Sequence, residues 1–490
     1  MAICPTVSTW KAISQTVAMK KFFMPQHLTI TSIIFELFFL ILEEKNQETW
    51  KLYSFSLTLR IIFGISYTLM KDLIKNLYLM DFVSYEIDNE QQFWTELSEI
   101  LILIEKTQKC VDICIKNFLN FTTIYGVNKY LKKDSDYQAC CHKFLNSDMF
   151  ISNKDYTRYQ LIVMINQEDM IHYFYILYWL LFFDAQSYPQ TYKLIKDKGS
   201  FQSLINTIWK HFQEFPELHK PGLNLLYEIC RLHQLTSKEL FFIHEEFFCF
   251  IFELIEKNAY HEDPYALSAI KLVLVINEQY IIKSLPSNSQ HSSSETLENI
   301  ENEYPVNLVM NILKKKGDLY RTFGENIIFI LNREKDICLQ FLILKQLYLI
   351  FTTKETLEYF YTNDLKVLVD VFIRKLYGLP EDNKKLYHAY LRVFYYLLKN
   401  TQLKNPPYYK RDQLQKLFQT LKEVMKYQHA KPVNSITEKL LLRCIKISWI
   451  KNDKLENDIL FSTNWNNESN SSFIEASAND HYIFSNLNKA

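Results

Sequence analysis

Residues 361–380, YTNDLKVLVDVFIRKLYGLP, contain the clearest structural signal in this chain. Their apolar residues recur at i, i+3, i+4, i+7, i+8 and i+11, which is the spacing of one stripe along an α-helix. These apolar residues are Leu365, Leu368, Val369, Phe372, Ile373 and Leu376. We expect Thr362 or Asn363 to cap the start of this helix. We expect Gly378, in a left-handed conformation, to end it together with Pro380.

The polar face of this helix and the two segments that follow extend the helical pattern. On the polar face, i,i+4 pairs of alternating sign are predicted among Lys366, Asp370 and Arg374. The second helix is predicted to stop before Asn405 and to bury Leu386, Tyr390, Val393, Phe394 and Leu397. The third is predicted to bury Leu414, Leu417, Phe418 and Leu421. Three helices in about 65 residues match the scale of armadillo or HEAT units, which run about 40 to 47 residues.

The composition of the whole chain excludes sheet-rich folds. Glycine accounts for only 7 of 490 residues, and the turns of barrels and sandwiches need residues that adopt positive φ. From residue 81 to about residue 450 the apolar residues recur at helical spacing. We therefore predict an all-α fold, an armadillo/HEAT-like helical repeat solenoid over residues 80–450. A compact helical domain is the alternative, because the sequence shows no clean repeat signature.

Three stretches fall outside this helical pattern. Residues 1–79 hold two apolar runs that are interrupted by charge and shorter than the about 20 residues of a membrane span. We interpret them as a poorly packed extension, or as the result of a mis-set gene start ahead of Met80, and a membrane anchor is the remaining alternative. The serine-rich residues 284–303 are predicted to form a disordered loop, and residues 451–490 a flexible polar tail.

Patterns of catalysis and of metal binding are missing from the sequence. It has no glycine-rich phosphate loop, and His244 lacks the second histidine that a zinc protease helix carries at i+4. The spacing of one cysteine group matches structural zinc sites poorly, so we favour core packing for Cys110, Cys114, Cys140, Cys141 and the adjacent His142. We therefore expect no enzymatic activity and no bound cofactor or metal.

Positive charge is concentrated between Lys384 and Lys431, although the formal net charge of the whole chain is 0. This stretch contains eleven lysine and arginine residues and only two acidic residues, Asp412 and Glu423, which gives a local net charge of +9. A solvated face is one interpretation. A basic surface for an acidic protein partner is another, because complementary charge speeds and orients association. A nucleic-acid partner is less favoured, because the glycine-aromatic signature of RNA-binding sheets is missing.

Two further polar features lie in apolar surroundings. Lys345 interrupts the apolar run FLILKQLYLI of residues 341–350. We expect it either to snorkel from a core helix or to be a contact residue on the concave side of the solenoid. His388 and Arg392 are i,i+4 neighbours on the second predicted helix.

Residues 351–417, which begin FTTKETLEYFYTNDLKVLVDVF, resemble the signature block of the WISH/DIP/SPIN family, whose members activate the actin-related protein 2/3 complex. Collinear matches are GENIIFILNRE from Gly324, DPYALSAIKLVLVINEQY at residues 263–280, LLYEICRLHQL from Leu225 and LLFFDAQSYPQTYKLIKDKG at residues 180–199. The resemblance covers roughly residues 85–430. It is to the shorter fungal forms, because the chain has no SH3 module and only 12 prolines.

The resemblance implies an armadillo-like domain that grips the actin-related protein 2/3 complex and favours its active conformation without a preformed filament. Linear actin filaments would then form at cytoplasmic, endocytic cortical patches, and the protein would meet filaments only indirectly. Neither nucleic-acid nor membrane binding is expected. Together with the basic stretch, the resemblance assigns partner contact to Lys345, Tyr361, Asn363, Arg374, His388, Arg392, Lys399 and Arg411. The alternative is a generic armadillo-like scaffold for another acidic protein.

Overall fold

The computed structural model describes most of the chain from residue 87 to residue 451. The described ranges are 87–103, 105, 107–127, 129–167, 172–211, 219–257, 264–284, 305–379, 383–427 and 435–451. The predicted extension at residues 1–79 lies outside the described residues. So do the predicted loop, apart from Ser284, and the predicted tail, apart from Lys451.

Nineteen α-helices and no β-strand occur in these ranges, which confirms the predicted all-α fold. The helices are α1 Glu90–Ile100, α2 Gln108–Phe121, α3 Asp134–Leu145, α4 Asp148–Ser152, α5 Lys154–Ile165, α6 Phe174–Ser187, α7 Gln190–Asp197, α8 Ser200–Lys210, α9 His219–Leu232, α10 Ser237–Phe242, α11 Glu245–Lys257, α12 Pro264–Lys283, α13 Leu308–Lys316, α14 Arg321–Arg333, α15 Ile337–Thr352, α16 Thr362–Gly378, α17 Lys384–Asn400, α18 Arg411–Tyr427 and α19 Ser435–Ile445.

Two rows of helices make up the architecture. In the first row, here called the spine, each helix packs on the next in the order α3, α6, α9, α12, α15, α17 and α19. The second row, here called the outer row, runs in the same way through α5, α8, α11, α14, α16 and α18. Each outer helix also packs on the spine helix that follows it in sequence. Two stacked rows of consecutive helices are the arrangement of a helical solenoid, which confirms the predicted architecture.

The spine shows the repeat that the sequence does not. Its helices begin at residues 134, 174, 219, 264, 337, 384 and 435, which gives intervals of 40, 45, 45, 73, 47 and 51 residues. Armadillo and HEAT units run about 40 to 47 residues, so most of the intervals fall on or near that scale. The one long interval separates α12 from α15 and contains the predicted serine-rich loop.

Burial follows the predicted apolar pattern in the C-terminal helices. In α16 five of the six predicted residues are buried and Ile373 is half-buried. Every residue predicted to be buried in α17 and α18 is buried. The spine helix α15 is apolar on nearly every side and buries twelve of its sixteen residues, as expected for a helix enclosed by neighbours.

The ends of α16 differ from the prediction. No side chain caps its first turn; Tyr361 precedes it in an extended conformation, and the Arg321 guanidinium lies 4.7 Å from the centre of the Tyr361 ring. The prediction of a left-handed conformation at Gly378 is also wrong, because Gly199 alone among the described glycines has a positive φ. Gly378 is the last helical residue, and Leu379 follows it in an extended conformation.

The predicted charge pairs of α16 are replaced by a contact across elements. The carboxylate of Asp370 lies 2.8 Å from Lys410 Nζ and accepts a hydrogen bond from the Tyr409 hydroxyl at 3.1 Å. Lys366 instead donates to Asn363 Oδ1 at 3.5 Å. Asp370 therefore ties α16 to the segment that precedes α18, because a distant cation reaches it in place of its helical neighbours.

We predict that Gly324→Ala destabilises the fold. A Cβ at Gly324 in α14 would lie 2.9 Å from Tyr359 Cε1 and 3.0 Å from Phe360 Cε1. The Tyr359 ring is buried and its hydroxyl donates to the Tyr320 carbonyl at 2.5 Å, so it cannot easily move aside. Urea unfolding should show a loss of about 1 to 3 kcal/mol in the free energy of unfolding.

Gly378→Ala is the matched control, because nothing lies within 4 Å of a Cβ at that position. It should be neutral or stabilising by up to about 1 kcal/mol, because alanine favours the helix. Equal losses in the two variants would contradict the steric explanation.

Candidate partner-binding surface

The structure divides the eight predicted contact residues between the two rows of helices. Four lie on the adjoining spine helices α15 and α17, namely Lys345, His388, Arg392 and Lys399. The other four belong to the outer row, with Tyr361 just before α16, Asn363 and Arg374 within α16, and Arg411 at the start of α18. The eight residues therefore do not lie together on a single row.

Basic side chains and tyrosines meet where α15, α17 and α19 pack together. Lys399 Nζ donates to the Tyr395 hydroxyl at 2.8 Å, and the Arg443 guanidinium lies 4.6 Å from the centre of the Tyr395 ring. Arg443 Nη2 also lies 3.4 Å from the Tyr396 hydroxyl. The Tyr396 ring packs edge-to-face on Tyr348 at 5.4 Å. We call this group the basic-tyrosine surface, and its members are Tyr348, Arg392, Tyr395, Tyr396, Lys399 and Arg443.

The basic-tyrosine surface is electropositive because its helices carry few acidic side chains. The sequence of α17, KKLYHAYLRVFYYLLKN, has no acidic residue, and α19 has only Glu438. Lys399 and Arg443 are exposed, and Arg392 is half-buried. Burial, reinforced by the neighbouring Tyr396, raises the pKa of the Tyr348 phenol, which keeps it neutral. Exposed ammonium and guanidinium groups beside phenolic hydroxyls form charge-assisted hydrogen bonds with carboxylates.

The basic stretch predicted between Lys384 and Lys431 does not form one face. Its first part lies in the spine helix α17 and its second part in the outer helix α18, where Asp412 and Glu423 offset the positive charge. Lys410 is paired with Asp370. Lys431 lies outside the described residues. The net charge of the stretch therefore overstates the charge of either surface.

Lys345 is an internal residue in this structure. Its side chain is 3% exposed, and its ammonium pairs with the carboxylate of Glu278, which is 12% exposed, in α12. A recess of about 30 Å³ adjoins this pair and is lined by Arg231, Leu232, Cys338, Phe341 and Leu342. Lys345 therefore neither snorkels to solvent nor lies on the surface, because Glu278 satisfies its charge inside the protein. Its assignment as a contact residue stays a prediction.

His388 is also largely internal. It is 8% exposed, and its Nε2 lies 2.6 Å from the Thr437 hydroxyl of α19. Burial, reinforced by the positive charges of Arg392 and Lys384, lowers its pKa to about 4. The imidazole is therefore neutral near pH 7 and joins α17 to α19 through a hydrogen bond. Its role in partner contact likewise stays a prediction.

The outer-row candidates are exposed and lie in a different electrostatic setting. Tyr361 is 60% exposed beside Arg321, and both Asn363 and Arg374 are exposed. Asp364 lies among them. Burial, and to a smaller extent the negative charge of Asp364, raises the pKa of Glu325. Arg411 Nη2 donates to the Lys451 carbonyl at 3.3 Å. These four residues stay predictions, and they do not share the electropositive environment of α17 and α19.

Sequence reasoning missed the tyrosines and Arg443. Tyr395 and Tyr396 follow Arg392 at i+3 and i+4, so the helical stripe through Arg392 was a signal that could have identified them. Arg443 lies beyond the stretch that carries the family resemblance. Only the packing of α19 on α17 brings it to this surface.

Known proteins match most of this chain. Residues 262–414, which include all eight predicted contact residues, match the family described as SPIN90/Ldb17, leucine-rich domain. Protein dip1 of Schizosaccharomyces pombe is 30% identical over 384 residues, covering 76% of this chain and 96% of that protein. Protein LDB17 of Saccharomyces cerevisiae is 30% identical over 270 residues, covering 54% of this chain and 51% of that protein. Protein LDB17 of Eremothecium gossypii is 23% identical over 386 residues, covering 72% and 80%.

We predict that replacing one partner of the internal ion pair destabilises the protein more than replacing both partners. Lys345→Met leaves the Glu278 carboxylate enclosed without its cation, which should cost about 3 kcal/mol in the free energy of unfolding. The double variant Lys345→Met with Glu278→Leu should regain most of this loss, because no enclosed charge remains. Urea unfolding measures both. Lys399→Met, at an exposed position, is the control and should change stability little. A double variant no more stable than the single one would contradict this account.

We predict that His388 makes stability depend on pH. Its folded pKa of about 4 lies below the unfolded value of about 6.5, so the folded state favours the neutral ring. Its contribution to stability is fully present above about pH 6.5 and is lost as the pH falls toward 4. The loss amounts to about 2 kcal/mol at pH 5. Between pH 7 and pH 5, the free energy of unfolding measured with urea should therefore fall less for His388→Gln than for the wild type. The exposed His244→Gln serves as control, and equal pH slopes in wild type and His388→Gln would refute the assignment.

Proposed function

The chain belongs to the SPIN90/Ldb17 family, and on that premise we propose that it binds and activates the actin-related protein 2/3 complex. The observation that carries the proposal is the alignment with protein dip1 across 96% of that protein. The family resemblance seen in residues 351–417 supports the same partner. Activation would need no preformed filament and would yield linear actin filaments, at endocytic cortical patches in the cytoplasm.

We propose that the protein acts by binding and not by catalysis. A ligand shifts a conformational equilibrium only by the difference between its affinities for the two states. A solenoid suits this task because its packed rows present a long surface that holds its shape when a partner rearranges. None of the described helices is long and apolar enough to cross a bilayer.

The basic-tyrosine surface is the part of the described chain that we assign to the first contact with the partner. Exposed Lys399 and Arg443 would attract an acidic surface and set its orientation. Their tyrosine contacts limit the rotamers they can adopt, so less side-chain entropy is lost on binding. The partly enclosed Arg392 lies on the same helical stripe as Lys399.

A generic armadillo-like scaffold is the second candidate. The electropositive character of α17 and α19 favours it equally, because that character requires only an acidic partner and no particular one. The two candidates differ in a single respect: only the first predicts faster actin assembly when the actin-related protein 2/3 complex is present.

A pyrene-actin assembly assay tests the proposal. The full chain, the actin-related protein 2/3 complex and actin monomers would be mixed without filaments or other activators. We expect faster assembly and unbranched filaments under the microscope. A folded, helical sample that leaves the assembly rate unchanged would exclude activation and leave the scaffold role.

Charge reversal tests the surface. Lys399→Glu combined with Arg443→Glu should weaken the complex by roughly tenfold or more, equivalent to about 1.4 kcal/mol. The apparent Kd is read from the dependence of assembly rate on protein concentration. Lys193→Glu, an exposed lysine on the distant helix α7, is the control and should behave like the wild type. Full activity in the double variant would move the contact to another surface.

A further inference from the structure

The sulfur of Cys249 lies against a lysine from a neighbouring helix. Cys249 belongs to α11, Lys316 is the last residue of α13, and Lys316 Nζ lies 3.2 Å from Cys249 Sγ. Both residues are half-buried. Of the eight described cysteines, Cys249 alone has a lysine nitrogen within hydrogen-bonding distance of its sulfur. The two atoms are therefore already at a distance of about 3 to 3.5 Å, at which reacting atoms are held before a bond forms.

Glu245 holds α13 in place beside the sulfur. It lies one turn before Cys249 on α11, and its Oε1 is 3.9 Å from Lys316 Nζ. Its other oxygen, Oε2, lies 3.6 Å from Lys315 Nζ and accepts a hydrogen bond from Asn311 Nδ2 at 3.3 Å. One carboxylate of α11 thus contacts three side chains of α13. The contact between Cys249 and Lys316 therefore follows from the packing of two helices and not from one side chain alone.

Two proton donors face the Cys249 sulfur. The hydrogen bond to this sulfur, and next the negative charge that the sulfur carries as a thiolate, raises the pKa of Lys316. Burial, reinforced by the same charge and by a hydrogen bond to Cys249, raises the pKa of Tyr320 to about 12. The ammonium and the phenol therefore keep their protons near pH 7. Reactive cysteines lie beside cations in partly exposed positions, and Cys249 meets both conditions.

Six of the other seven described cysteines are poor nucleophiles. Burial is the main cause that raises the pKa of each of these six, which are Cys114, Cys140, Cys141, Cys230, Cys338 and Cys444. Their thiols keep their protons near pH 7, and the thiolate, not the thiol, is the nucleophile. The seventh, Cys110, is half-buried on α2 and is the natural comparison for Cys249.

We propose that Cys249 and Lys316 form a covalent sulfur–nitrogen bond, a sulfenamide, when the protein is exposed to hydrogen peroxide. In the first step the Cys249 sulfur attacks one peroxide oxygen and the O–O bond breaks. The sulfur loses two electrons and becomes a sulfenic acid, and one water leaves. In the second step the Lys316 amine displaces the hydroxyl group from the sulfur, and this group leaves with an amine proton as a second water. Sulfenic acids condense with a backbone nitrogen in the same way.

Lys316 must lose its ammonium proton before the second step. The main cause of its raised pKa is the hydrogen bond to the Cys249 sulfur, and a neutral sulfenic acid removes the thiolate that accepts this bond. The Lys316 side chain is 41% exposed, so the proton passes to solvent. Glu245 and Glu253 continue to favour the ammonium, so we expect the second step to be the slower one.

The bond would tie α11 to α13 across a separation of 67 residues in sequence. A crosslink that closes a loop of this length restricts the unfolded chain and so stabilises the folded one. It secures α13, the first helix after the break in the described residues at 285–304. The reaction needs no partner protein, so it can occur whether or not the proposed function holds.

Peptide mass spectrometry of the full chain after treatment with hydrogen peroxide tests the bond. We expect a species that joins the peptides of Cys249 and Lys316, weighs two hydrogens less than their sum and is released by dithiothreitol. Lys316→Arg keeps the positive charge but should block the link, leaving a sulfenic acid at Cys249 that dimedone labels. Lys315→Arg is the matched control and should form the link like the wild type.

Three outcomes of this experiment would overturn the proposal. The first is oxidation of Cys249 in the wild type without the link. The second is a link that joins Cys249 to Lys315 as readily as to Lys316. The third is faster oxidation of Cys110 than of Cys249, because the lysine contact would then give the sulfur no advantage.

Urea unfolding supplies a second readout. The oxidised wild type should unfold at a higher urea midpoint than the reduced protein, and dithiothreitol should remove the difference. Oxidised Lys316→Arg and Cys249→Ser should show no such rise, whereas the control Cys110→Ser should keep it. A rise of equal size in Cys249→Ser would assign the stabilisation to another bond and contradict the proposal.

Discussion

The buried carbonyl groups at the ends of the spine helices are the constraint on which the solenoid depends. The last carbonyls of a helix have no partner within it, and burying them unpaired is costly. Here a side chain about one repeat later supplies the missing donor: Gln279 for Cys230, Asn400 for Phe351 at 2.8 Å and Trp449 for Leu398 at 2.9 Å. The separations in sequence are 49, 49 and 51 residues. These three units therefore each depend on the unit that follows, and the spacing of the three donors follows the repeat length.

This arrangement explains why the repeat is invisible in the sequence although the helices are not. Apolar spacing alone identified the buried positions of α16, α17 and α18, because burial on one face is a local, periodic requirement. The donors that join successive units are glutamine, asparagine and tryptophan, which share a function but no sequence pattern. The ends of α16 escaped prediction for a similar reason. Arg321, forty residues before Tyr361, packs against this residue, which immediately precedes the helix.

The candidate surface was partly predictable in the same sense. Arg392 and Lys399 lie seven residues apart on α17, so their common stripe follows from helical spacing, whereas His388 of the same helix is largely internal. Burial of Lys345 did not follow, because a lysine in an apolar run is stable inside only if an acidic partner arrives from elsewhere, and Glu278 is 67 residues away. Arg443 joined the surface through packing of α19 on α17. Residues that act through contacts between units were thus the ones that sequence reasoning missed.

Charge along the spine differs between its middle and its C-terminal end. In α9 and α12 two ion pairs form within the protein: Arg231 pairs with Glu228 at 2.6 Å, and Glu278 with Lys345. In α17 and α19 the exposed Lys399 and Arg443 contact tyrosines, which orient them without neutralising them. A chain with a formal net charge of 0 thus has a locally electropositive end. Because these exposed cations lie at one end, the acidic partner that we propose would be oriented along the spine as well as attracted to it.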